Sequence, residues 1–378
     1  GEGDDAQVAG GGDDDVGVAD RVLDGDDVLE EQIRGVLDDV LAAVEDWESM
    51  RERVLRLADE VSTGEGDPEA DEAAELLRWF AANHLTFLGV RDHVVRDGRL
   101  EPVAGSGLGV LRGETPLTEI ESRIGEGTSG VRIGKGTTRS TVHRTIYPEH
   151  VAVRWEHGDE VRETRIVGLL TSRAYTETVV SIPVVRSKVE AVLESAGWSA
   201  DSHSGAQVLR LLETFPRDEL FQAPAGLLAE TVHEVLRLET LRQAALFVRG
   251  ADHGQAVSAL VYLPRDRYTT TVRHRIEALL QDAVGADEAT FTAHVSEGSL
   301  ARLYYVLRRS DGGPVDAPSP DETETLRAAV TQASRTWTED LEQRAQELAG
   351  DRAEELLAPF ADGFPVDYQD DFDATQGV

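Results

Sequence analysis

Apolar residues at Leu29, Ile33, Val36, Leu37, Val40, Val44, Trp47, Val54 and Leu55 recur three and four apart. That spacing predicts one long amphipathic helix over residues 28–61. STGEGDPEAD (62–71) then replaces the stripe with glycine, proline and acids, a linker in which Asp67 and Pro68 are placed to start a second helix over 69–83. There the period changes to two. HLTFLGVRDHVV reads as a strand, and further strands are predicted at 131–133, 141–146, 150–157 and 161–170, the last two joined by the turn HGDE. The stretch 105–136 holds many glycines and few apolar anchors, so a long mobile loop is expected there. Helical spacing at 183–196 and 205–214 closes this first, mainly antiparallel domain.

After FPRDELFQAP the pattern predicts a helix over 225–241 and a hairpin of strands 245–249 and 257–263. A helix follows, capped by Thr269 or Thr270 and running to Val284. A second hairpin (289–295 and 301–308) and a long helix over 321–348 complete a ββαββα order. Such a unit gives an antiparallel sheet with helices on one face. The fold class is therefore α+β and multidomain: sandwich domains with mainly antiparallel sheets and packed helices, joined by long helices. The expected division is an acidic Gly/Asp-rich disordered leader (1–26), a helical segment and linker (28–72), an α+β domain (73–200), a helical connector (201–242), a second α+β domain (243–350) and a C-terminal connection (351–378).

Composition narrows the function classes. With 72 acidic against 37 basic residues the formal net charge is −35, which repels phosphate backbones and anionic lipids. Nucleic-acid and membrane partners are therefore not expected. No cysteine is present, which removes disulfides, zinc-thiolate sites and thiol nucleophiles and fits a reducing cytoplasm. No apolar run reaches the roughly 18 residues of a membrane span, and the opening GEGDDAQVAGGGDDD does not look like an export signal. Lys135 and Lys188 are the only lysines, so arginine carries nearly all positive charge.

The motifs that suggest chemistry mostly fail on inspection. GSGLGVLRG (105–113) lacks the helix that a dinucleotide loop must open, since Thr115-Pro116 intervenes. GKGTT (134–138) has Ser129 where a phosphate loop needs its first glycine and Gly136 where it needs a hydroxyl. Ten histidines form no HExxH or HxH pair, and no metal site is predicted. Denser chemistry lies in Arg139-Ser140-Thr141-Val142-His143-Arg144, whose alternation as a strand would put Arg139, Thr141 and His143 on one face. Arginine suits carboxylate recognition, but cross-strand ion pairs are its commoner use. PRDRY (264–268) and FPRDEL (215–220) read first as local Arg–Asp pairs that fix turns.

In order along the chain, FLGVRDHVV, GSGLGVLRG, RSTVHRTIYPEHVAVRW, LLTSRAY, IPVVRSKVEAVLESAG, ETFPRDELFQ, LFVR, ALVYLPRDRYTTTVRHRIEALL and VSEGSLARLYYVLRR resemble the N-terminal half of the large NAD-specific glutamate dehydrogenases of bacteria. The resemblance covers about 30–373. It implies ACT-type small-molecule-sensing domains and a PAS-like domain ahead of a Rossmann-containing catalytic region, which is expected after Phe372. Residues 73–200 would be the PAS-like or ACT-related unit and 245–348 the second ACT-type domain. No catalytic, cofactor-binding or metal-binding residue is carried over, and NAD belongs to the parent enzyme. The implied role is regulation and assembly, with the remainder of the parent chain and other protomers of a homo-oligomer as partners and an amino acid as a candidate effector. Candidate effector-binding residues are Arg139, His143, Arg144, Arg265, Arg267, Ser299 and Arg302. A scaffold without any small-molecule ligand is the alternative, and a free-standing enzyme would need a preorganised site that the sequence does not display.

Overall fold

The computed structural model describes residues 14–62, 67–113, 130–158, 160–241, 243–251, 254–295, 298–360, 363–365, 368, 372 and 374. The chain divides into two compact units between Thr176 and Glu177, ahead of the domain boundary expected at 200.

In the first unit the helical stripe forms two helices instead of one, α1 (Asp14–Glu45) and α2 (Trp47–Val61). The break falls at Asp46, and its cause is a long-range contact. The Asp46 carboxylate accepts from Gly109 N at 2.7 Å and from Arg112 Nε and Nη2 at 2.6 and 2.8 Å, and its side chain does not cap α2. Arg112 holds the Asp46 carboxyl below its ordinary pKa. Of the leader expected at 1–26, residues 1–13 lie outside the described residues, and from Asp14 the backbone is helical. Helix α3 (Pro68–Trp79) starts as its sequence predicts, with the Asp67 side chain accepting from Glu69 N, and it ends in one wide turn, Phe80–His84.

Strands β1 (Leu85–Arg96), β2 (Arg99–Pro102), β3 (Leu108–Gly109), β4 (Gly130–Lys135), β5 (Glu149–His157) and β6 (Glu160–Leu170) form one antiparallel sheet in the order β2-β1-β6-β5-β4, with β3 also on β1. Met50, Val54, Leu57, Leu76 and Leu77 from the helices are buried, as are Leu88, Val90, Val151, Val153, Ile166 and Leu169 from the strands. The strand expected at 141–146 is absent. That segment is a bent loop in which His143 has φ +66°, a left-handed conformation that ends any strand alternation. Within 105–136, where a loop was expected, residues 114–129 lie outside the described residues, while 108–109 and 130–135 are strand.

After α4 (Ser172–Thr176), which closes the first unit, the second unit begins at Glu177. It contains α5 (Val185–Ser195), α6 (His203–Thr214), α7 (Arg217–Gln222) and α8 (Ala225–Leu241). The ββαββα order then appears as β7 (Ala245–Gly250), β8 (Val257–Pro264), α9 (Thr270–Val284), β9 (Glu288–Val295), β10 (Leu300–Arg308) and α10 (Pro320–Ala333). Thr269 caps α9 by accepting from Val272 N. The sheet order is β7-β8-β10-β9, antiparallel throughout. The single helix expected over 321–348 is broken at Ser334–Thr336. There Thr336 and Glu339 form a capping box that starts α11 (Trp337–Ala349), followed by α12 (Ala353–Leu357).

Side chains alternate across this sheet. Val257, Ala259, Val261, Leu263, Ala301, Leu303, Tyr305 and Leu307 face Val272, Ile276, Leu280, Leu326 and Val330 of α9 and α10 in one core. The alternate residues Ser258, Leu260, Tyr262, Arg302, Tyr304 and Arg308 are buried as well. Helices on one face were expected, but α6–α8 cover the second face. VSALVYLP and LARLYYVLR carry the signal for this, because a strand buried on both sides reads as a nearly continuous apolar run.

Candidate ligand site

The second face of that sheet is polar where it is buried, and each polar group poses a question of satisfaction. Glu219 of α7, 4% exposed, accepts from Arg249 Nε and Nη2 of β7 at 3.0 and 2.8 Å and from Tyr304 Oη of β10 at 3.1 Å. Burial opposes its ionisation, but the hydrogen bonds and charge of Arg249 outweigh it, so the carboxyl sits below its ordinary pKa. Lys188 of α5 donates to the carbonyls of Leu220, Phe221 and Ala223 at 3.0, 2.6 and 2.8 Å, which satisfies the end of α7. Burial and the nearby Arg249 charge, against the attraction of Glu219, depress its pKa to about 8.

Arg302 is different. It is the third residue of β10, 8% exposed, and its Nε and Nη1 are buried with no hydrogen-bond partner among the described residues. Burial lowers its pKa, against a smaller opposing influence of Tyr262 and Tyr304, yet an arginine remains charged at neutral pH. The register places Tyr262 of β8 on one side of it and His294 of β9 on the other. Burial, and then the Arg302 charge, lowers the pKa of His294, which favours the neutral ring.

This row floors a cavity of about 510 Å³. Helix α6 forms one wall with Gln207, Arg210, Leu211 and Thr214, a spacing that puts all four on one helical face; Glu213 lies beside them. Val235 of α8 and Gly298 and Leu300 before and in β10 complete it. Ser202 holds the start of α6 by accepting from Gly205 N at 3.0 Å. Among the described residues of the lining the one acid is Glu213, which already accepts from Val179 N at 2.9 Å and faces Arg217 at 3.5 Å. The cavity thus combines one buried cation, a second on its rim, an imidazole of lowered pKa, an amide and apolar walls, a set suited to a small anion with a hydrocarbon part.

The seven residues singled out from sequence do not converge. Arg139, His143 and Arg144 are exposed in the first unit. Arg139 stacks over Tyr147 at 5.0 Å and donates to Thr145 O, and it borders a separate cavity of about 230 Å³ with Asp39 and His150. Arg144 donates to Leu170 O at 2.7 Å. In the second unit Arg265 N donates to Ser299 O at 2.9 Å, so these two pair through backbone, and Arg267 is ion-paired with Glu339 of α11. Of the seven, Arg302 alone lines the cavity of about 510 Å³. Gln207, Arg210, Tyr262 and His294 were not foreseen; the helical spacing of 207, 210, 211 and 214 was the available signal. Among the described residues no three His, Asp or Glu side chains gather as a metal site, and no helix is long and apolar enough to cross a membrane.

Comparison with known proteins divides the second unit along the same lines. Residues 182–240 match the model of glutamate dehydrogenase helical motif 1, and residues 245–338 match that of the glutamate dehydrogenase ACT2 domain. The chain is 32% identical over 370 residues to the NAD-specific glutamate dehydrogenase of Halomonas elongata. It is 31% identical over 362 residues to that of Pseudomonas aeruginosa and 33% over 325 residues to that of Mycobacterium tuberculosis. These matches cover 93%, 91% and 83% of this chain. The chain belongs to the large NAD-specific glutamate dehydrogenase family. It spans 23%, 22% and 20% of the length of these three relatives. In family terms, the Arg302 cavity lies between helical motif 1, which supplies α6 and α8, and the ACT2 sheet.

Proposed function

We propose that this chain is the regulatory and assembly segment of an NAD-dependent glutamate dehydrogenase, which interconverts glutamate and 2-oxoglutarate with release or uptake of ammonium, and that catalysis and NAD binding reside in other residues of the longer protein. Within it the ACT2 domain and helical motif 1 form a small-molecule-sensing pair, an amino acid is the candidate effector, and the first unit is the PAS-like or ACT-related part. The cysteine-free sequence supports a cytoplasmic setting. The observation that carries the reading is the cavity between the two elements, floored by an arginine with unpaired donors. An effector acts by favouring one arrangement over another, and a ligand that touches both walls has the contacts to do so.

The test is thermal unfolding of the chain at fixed salt with L-amino acids, 2-oxoglutarate and NAD. A ligand at about 100 times its dissociation constant adds about 2.7 kcal/mol. A saturable rise with one amino acid supports the sensor, and a flat panel refutes it. One observation favours a second reading, a scaffold that joins protomers. Leu29, Ile33, Leu37, Leu41 and Val44 on α1 are each more than half exposed, an apolar stripe of the kind that packs on another chain. A monomeric sedimentation coefficient at high concentration, with a flat ligand panel, removes both readings.

A further inference from the structure

We propose that Arg302 is the anchor of this site and that its ligand is a small organic carboxylate of amino-acid or 2-oxo-acid type, bound between α6 and the second face of the sheet. The proposal rests on the regulatory reading above and names the ligand group and the residue that receives it.

Three observations support it. First, a buried charge without a partner is among the most destabilising features a fold carries, and it persists where a partner arrives from outside. Nε and Nη1 of Arg302 are in that condition, whereas Arg249, on the same face, has Glu219 and Gln222. Second, the chain holds 72 acidic residues against 37 basic ones, and none of the 72 is paired with Arg302 among the described residues. Arg210 adds a second positive charge at the rim, and Glu213 is engaged by Val179 N and Arg217. Third, the walls around the guanidinium include Leu211, Val235 and Leu300. A planar guanidinium matches a planar carboxylate, and apolar walls accept the carbon chain that inorganic phosphate lacks.

Binding would satisfy Arg302 and tie helical motif 1 to the ACT2 sheet through one molecule, so occupancy and the packing of α6 on β10 become linked.

The experiment compares thermal unfolding and calorimetric titration of the wild-type chain with Arg302→Met, Arg302→Lys and Arg210→Ala. Probes are L-amino acids, their 2-oxo acids, the C-terminal amides of the same amino acids, and inorganic phosphate. Without ligand, Arg302→Met is expected to melt above wild type, because an apolar side chain replaces an unpaired charge. A carboxylate that shifts wild type should bind Arg302→Met at least tenfold more weakly and Arg302→Lys with intermediate affinity, and its amide should give no shift. Arg210→Ala, exposed and neutral to folding, should weaken binding severalfold and serves the same purpose if Arg302→Lys does not fold. The proposal is overturned if ligand-free Arg302→Met melts below wild type. It is also overturned if amides or phosphate shift wild type as far as the carboxylates do. An equal effector shift in Arg302→Met and wild type overturns this site while leaving the sensor reading intact. If no probe moves wild type, both fall.

Discussion

Replacing Glu219 by Leu tests whether the helical layer is held to the sheet by a buried ion pair. In the folded chain the Glu219 carboxylate receives two hydrogen bonds from Arg249 and one from Tyr304, and the side chains of Glu219 and Arg249 are 5% and 14% exposed. Glu219→Leu leaves the guanidinium with Gln222 Oε1 at 3.1 Å and Gly250 O at 3.3 Å. Breaking a buried pair from one side costs about 3–5 kcal/mol, and these remaining acceptors place the loss near 3 kcal/mol. For a unit of this size that lowers Tm by roughly 6–12 °C. Urea unfolding of Glu219→Leu, Arg249→Met and the double variant gives the coupling directly. The double variant should recover much of the loss, since it leaves no unpaired charge. A loss below about 1 kcal/mol in Glu219→Leu, or strictly additive effects, would refute the clamp.

Three further outcomes follow from other parts of the molecule. His93 is buried, and burial together with the charges of Arg165 and Arg91, against Glu163 and Asp92, depresses its pKa to about 4. Its folded pKa lies below the unfolded value near 6.5, so the unfolded state takes up the proton first and stability is lost as pH falls through 6.5 toward 4. The loss between pH 7 and pH 5 is on the order of 1–2 kcal/mol, and urea midpoints of His93→Gln should vary less over that range; an unchanged profile would contradict it. Gly109 has φ +60°, and an added Cβ would stand 2.1 Å from Leu88 O. Gly109→Ala should therefore lose about 2 kcal/mol or more in chemical unfolding, and a neutral result would mean that β3 moves freely away from β1. The net charge of −35 repels itself, so Tm should rise from low to moderate salt, and a flat or falling Tm rejects that term.

Most elements were legible because their apolar periods are strong. Positions that required tertiary knowledge were not. Asp46 looks like any acid on a helix face, and only the distant Gly109 and Arg112 explain why the helix stops there. The Arg139–Arg144 alternation resembles a strand, but among the described residues no strand pairs with it and His143 turns it into a loop. At the candidate site, Arg302 was visible as an arginine in an apolar strand. That its Nε and Nη1 find no partner among the described residues was not, because pairing depends on what α6 and α8 bring to the second face. Arg210 and Gln207 belong to a helix that reads from sequence as a connector, and the register that sets His294 and Tyr262 beside Arg302 exists only once both hairpins are folded.

Hydrogen exchange of the wild-type chain, with and without the amino acid that gives the largest thermal shift, tests most directly whether a ligand joins helical motif 1 to the ACT2 domain. A ligand anchored on Arg302 predicts slower exchange in α6 and in β8 and β10 together. Protection confined to other segments, or none at a concentration that saturates the thermal shift, would contradict it.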